Sequence, residues 1–112
     1  MPWYYFLSYF FGGTFLVNAI PHFANGISGR PFQSPFSKPP GQGLSSSTTN
    51  VLWGAFNIVI GYLLICQVGR FNLHSLHHVA PMGLGSLVMA LIHAKTFGRF
   101  HGGNSPSNTG KG

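Results

Sequence analysis

The chain has 112 residues, no Asp, no Glu and six Lys plus Arg, for a formal charge of +6. Only 5% of it is charged and 45% is apolar, whereas soluble domains are about one quarter charged. So few charges cannot clothe a surface in water, and a bilayer is the expected solvent. The missing carboxylates also exclude Ser-His-Asp triads, carboxylate acid–base catalysis and proton-coupled export through an intramembrane carboxylate. No phosphate-binding glycine loop leads into Lys-Ser or Lys-Thr. The basic residues are scattered between apolar runs, which suits anionic lipid headgroups or an acidic partner and not nucleic acid. The expected fold is all-α: one membrane domain over 1–112, with three transmembrane helices and a long loop between the first two.

The first apolar run, 3–20, is near the lower length limit for spanning ~30 Å of hydrocarbon as a helix. Trp3, Tyr4, Tyr5 and Tyr9 crowd its start like an aromatic belt, and Pro21 marks its expected end. Val17-Asn18-Ala19 loosely fits a signal cleavage site. No Lys or Arg precedes the run, however, so retention is expected.

Residues 21–50 form a connection dense in Gly, Pro and Ser, through which neither helix nor strand is expected to run. Phe23, Ile27, Phe32 and Phe36 nonetheless predict an ordered, packed segment over 22–36. Thr49 or Asn50 is the expected cap of the next helix.

That second helix is expected over 51–68, with Trp53 as an interfacial anchor and Arg70 beyond its other end. Gly54 and Gly61, seven apart, would let another helix come close. Cys66 is a lone thiol within an apolar run, so burial is expected. The short link 69–72 predicts a tight antiparallel hairpin with the third helix.

The third helix, expected over 73–98, carries His74, His78, Met82, Ser86, Met89 and His93 at steps of four, four, four, three and four. Such steps return to one helix face. Pro81 predicts a kink or a break near His77. Ser86, Ala90 and Ala94 form a second face suited to close packing. Residues 101–112 are polar and Gly/Ser-rich, and read as a disordered tail.

Arg30, Lys38, Lys95, Arg99 and Lys111 fall on the side of the long loop and tail; Arg70 alone falls on the other. The positive-inside rule then places loop and C-terminus in the cytoplasm and the N-terminus outside.

This arrangement brings Asn18 and His22 of the first helix, Asn57 of the second, and Met89 and His93 of the third to similar depth. Polar side chains in hydrocarbon turn inward and find partners. The group could serve only to fix helix packing, or could line a pocket with the His22 loop as a lid. At the other end, His74, His77 and His78 have the H-x-x-H-H spacing of a histidine box, as in membrane desaturases. A complete di-iron site within this chain is not expected, because those metals also draw on carboxylates and the chain has none.

Two cofactor readings stay open. Copper would suit His74, His78, Met82, Met89 and His93 as successive soft sites along a conduit. Haem b would need two facing imidazoles, and His22 and His93 are the candidates.

The string His22-Phe23-x-x-Gly26-Ile27-Ser28-Gly29-x-Pro31-Phe32, followed by Pro39-Pro40-Gly41-x-Gly43-Leu44-Ser45 and Asn50-Val51-Leu52-Trp53-Gly54, resembles an uncharacterised family of small bacterial multispanning membrane proteins. The resemblance covers the first half of the chain and implies the bacterial inner membrane, but no activity. The leading functional expectation is a non-catalytic accessory subunit of a larger membrane complex. Its partners would be other membrane subunits and lipids, or further copies of itself. The alternative is a carrier or binding protein for copper or haem b.

Overall fold

The computed structural model describes residues 1–106, and they are mostly helical. The elements are α1 (Trp3–Ile27), a short antiparallel ribbon of β1 (Phe32–Gln33) and β2 (Leu44–Ser45), α2 (Ser47–Tyr62), α3 (Leu76–Thr96) and α4 (Gly98–His101). A π-helical turn, Leu63–Gln67, continues α2. Two segments, Ser47–Gln67 and Leu76–Thr96, are long and apolar enough to cross a membrane.

The order in space is α2, α1, α3. Helix α1 packs against both of the others, while α2 and α3 hardly meet. The expected tight hairpin of the second and third helices is therefore corrected: they are sequence neighbours separated by the first helix. Glycines explain how α1 fits between them. Neighbouring residues on a helix point about 100° apart, so Gly12 and Gly13 face opposite partners. A methyl group at Gly12 would collide with Ile65 of the π-turn and meet the Gly61 carbonyl at 3.3 Å; one at Gly13 would collide with the Met82 carbonyl and Ser86 of α3. Gly54 of α2 lies against Phe23, and Gly85 of α3 against the Phe10 carbonyl. Small residues of this kind let helix backbones approach closely.

Helix α1 continues past its expected end. It runs through Pro21, which forgoes one backbone hydrogen bond. It stops where Arg30 N–H reaches back 2.8 Å to the Asn25 carbonyl and Gly29 takes φ +74°. That conformation suits a residue without Cβ. The cap of α2 is also corrected. Ser46 Oγ accepts from Thr49 N–H at 3.1 Å, and Asn50 lies inside the helix and fully buried. The π-turn brings the Leu64 carbonyl to the Ser8 hydroxyl, which donates to it. Cys66 in this turn is exposed and not buried, because an apolar run on a bilayer-suited helix supplies outer as well as inner faces.

Helix α3 begins at Leu76, so Pro81 falls in its second turn and the helix is not broken near His77. Only Gly85 of this helix is buried. Ser86 faces α1, but Ala90 and Ala94 are exposed, so only one member of the expected small-residue face is used.

The long connection contains regular structure after all. Phe32 pairs with Ser45 and Gln33 with Leu44. Ser34 organises the turn. Its carbonyl accepts from Gly41 N–H at 2.8 Å and from the Ser37 hydroxyl at 2.6 Å, and its own hydroxyl accepts from Phe36 N–H at 3.0 Å. The expected tail is ordered where it is described: His101 ends α4 and stacks on Phe32 at 5.4 Å. The part of that expectation concerning 107–112 lies outside the described residues.

The two glycines of α3 make a test. Gly85→Leu is expected to lower stability in detergent by about 1–3 kcal/mol through overpacking against α1. Gly83→Leu, where a side chain would meet nothing, should stay within about 0.5 kcal/mol of the parent. Thermal unfolding followed by circular dichroism reads both, and equal effects would contradict the packing described.

Candidate functional site

The end of the molecule under the ribbon is built on Asn50. Its Nδ2 donates to the carbonyls of Phe32 (3.1 Å), Ser45 (3.2 Å) and Ser46 (3.0 Å). Three carbonyl acceptors fix which end of the amide is nitrogen. Asn50 Oδ1 is then an acceptor, and it lies 2.8 Å from His22 Nδ1. His22 must therefore carry its proton on Nδ1 and donate it. In the neutral ring this leaves Nε2 as a lone pair, and Nε2 has no hydrogen-bond partner among the described residues. His22 is only 2% exposed. Its ring is enclosed by Phe32 at 5.6 Å, Phe97 at 5.8 Å and Trp53 at 6.4 Å.

One turn earlier on α1, Asn18 Nδ2 donates to Asn57 Oδ1 at 2.9 Å, and Asn57 Nδ2 donates to the Trp53 carbonyl at 2.8 Å. This pair joins α1 to α2 in the middle of an apolar layer. Two hollows meet here. A chamber of about 150 Å³ beneath the ribbon is bounded by His22, Asn18, Ser34, Trp53, Thr96 and Phe97. A wider groove of about 470 Å³ runs over α1 between α2 and α3, walled by Phe10, Phe15, Val88, Met89 and Ile92. Asn18 and Trp53 belong to both. Trp53 is half-buried among His22, Phe36 and Phe56, and its indole N–H is buried without a partner. It is part of this cluster.

The structure thus gathers Asn18, His22, Asn57 and Met89 around these hollows. His93 reaches the group through Phe97, whose ring lies 4.9 Å from its imidazole and 5.8 Å from that of His22. The rest of the stripe is elsewhere. His74 precedes α3 and is exposed, so it does not share the helix face that its spacing suggests. His78 packs on Tyr9 at 5.1 Å and Phe71 at 5.9 Å. Its Nδ1 accepts from Asn72 N–H at 2.9 Å, which puts the proton of the neutral ring on Nε2 and leaves no lone pair for a metal. Met82 meets Gly13 through its backbone carbonyl. Among the described residues, no three His, Cys, Asp or Glu side chains converge as an ion would require.

Phe97 and His101 were not singled out by sequence reasoning, and Asn50 was offered only as a helix cap. Asn50 was masked by its place after a Ser/Thr run, where an amide reads as a helix cap. His101 lies in a segment without periodicity, yet its Nε2 reaches 3.2 Å from Gln33 Oε1.

What fold and site define is a small, predominantly helical protein with two bilayer-length helices and a histidine chamber roofed by a β-ribbon. No family model, curated protein or solved structure matches the chain.

Asn50→Ala is expected to destabilise the protein by about 2–4 kcal/mol, because more than one buried group loses its partner at roughly 1–3 kcal/mol each. Hydrogen exchange at the Phe36 and Gly41 amides should accelerate well beyond that at mid-α1 amides. Uniform acceleration along the chain would show that Asn50 does not specifically hold the ribbon.

Proposed function

We propose that this chain is a three-span integral membrane protein of the bacterial inner membrane, acting as a non-catalytic accessory subunit beside a larger complex. The N-terminus lies outside, and the ribbon, α4 and C-terminus lie in the cytoplasm. Helix α1 is the third span; at 25 residues it measures roughly 37 Å. Arg30, Lys38, Lys95 and Arg99 all lie at the ribbon end, with Arg70 at the other, as the positive-inside rule requires for this orientation.

The observation that supports the subunit role is the outer side of α3. Ala80, Gly83, Ala90 and Ala94 are all exposed, and a side chain at Gly83 would meet nothing. Their positions fall on one helix face. Within the molecule, small residues mark where helices touch; here the same device faces outward. Lipid tails have no need of such a surface, whereas a partner helix does. Leu76 and Leu87 lie on the same face and Leu84 and Leu91 beside it; all four are exposed and supply apolar contact.

Native electrophoresis of gently solubilised membranes tests this. The parent chain should migrate within an assembly several times its 12.1 kDa mass, and the Gly83→Ile/Ala90→Ile double variant should run free of it with unchanged helicity. A parent chain that runs alone, an assembly composed only of this chain, or an undisturbed double variant would each overturn the accessory role.

A further inference from the structure

The chamber and groove are more than packing defects. They differ in chemistry, they share Asn18 and Trp53 as a common wall, and the chamber contains a hydrogen-bonding atom with a determined role. Since Asn50 holds the proton on His22 Nδ1, Nε2 of the neutral ring can only accept. A head group satisfying it must donate. No Asp or Glu exists to compensate a cationic head, and a carboxylate or phosphate would turn its own acceptors toward that lone pair. A neutral hydroxyl fits: it donates to Nε2 and can accept from the hydroxyl of Thr96, which lines the same chamber. The chamber's 150 Å³ gives room for on the order of five small heavy-atom groups, taking a water-sized share of about 30 Å³ each. Beyond Asn18 and Trp53 the walls turn to Phe10, Phe15, Val88 and Ile92, which suit an apolar tail and nothing charged.

We infer that the structure is a binding site for a neutral, lipid-soluble amphiphile, whose hydroxyl head enters the chamber to meet His22 and whose apolar body lies in the groove over α1. The inference rests on the membrane reading, since the groove must open to hydrocarbon, but it needs no partner complex. The site binds and does not react: no bond in the ligand is made or broken. Asn18 stands at the threshold. Its amide is held by Asn57, so the passage between the two hollows is set by a hydrogen bond between α1 and α2 and not by a mobile side chain.

The test uses Trp53 as reporter. Trp3→Phe leaves Trp53 as the sole tryptophan, and the full chain is titrated in detergent with 5-bromoundecan-1-ol or 5-bromoundecane, whose bromine quenches indole fluorescence at short range and would lie where the chamber meets the groove. The alcohol should quench saturably, about three- to tenfold more tightly than the alkane, as one net hydrogen bond allows. Unbrominated undecanol should restore the signal by competition. His22→Phe in the same background should reduce the preference to less than about twofold. Equal quenching by alcohol and alkane, quenching that rises linearly without saturation, or failure of undecanol to compete would overturn the site. The competition experiment decides the matter on the parent ring even if His22→Phe does not fold. A chain that remains soluble and folded without detergent would instead refute the membrane reading, so the two failures are distinguishable.

Discussion

One buried amide holds the ribbon end together. Asn50 donates to carbonyls on both strands' side of the connection and to the start of its own helix, and it accepts from His22 on α1. In an apolar surrounding each of these groups is expensive to leave unpaired. Satisfying them together requires the ribbon, α1 and α2 to sit in one relation. The lone pair on His22 Nε2 is a consequence of that constraint. The same contacts that close the roof also decide which nitrogen of the ring keeps its lone pair.

Away from the ribbon, cohesion comes from shape. Small residues let α1 lie between its neighbours, and its two consecutive glycines divide the work between α2 and α3. Two polar bonds join elements there: Ser8 to the π-turn and Asn18 to Asn57. Most large apolar side chains point outward, an arrangement that water would penalise and lipid tolerates. The wide groove follows from this geometry. With α1 between them, α2 and α3 stand apart as two walls with α1 as the floor.

Particular residues show how far the sequence could be read. The apolar runs of α2 and α3 were visible from composition, since apolar residues dominate both. Asn18 and Asn57 could be paired by depth, because polar groups in apolar helices must turn toward one another. Their meeting at 2.9 Å needed no knowledge of the loop. His74 misled, because a spacing of four has meaning only inside a helix, and α3 starts two residues later. Pro21 misled in the opposite direction, since a helix packed on neighbours can forgo one backbone bond. Cys66 was assigned surroundings from its run, yet surroundings depend on which face meets another helix.

From its residues alone this chain determined its helical character, its two bilayer-length apolar runs, the direction of its charge asymmetry and the candidates for inward polar groups. These follow from composition and local periodicity, which act over a few residues. Tertiary structure alone decided that α1 lies between α2 and α3, that a Gly/Pro-rich connection folds into a ribbon, and that Asn50 fixes the proton of His22. Each depends on contacts between residues far apart in the chain, where several arrangements are locally equivalent and only the simultaneous pairing of buried polar groups and close-packed glycines selects one.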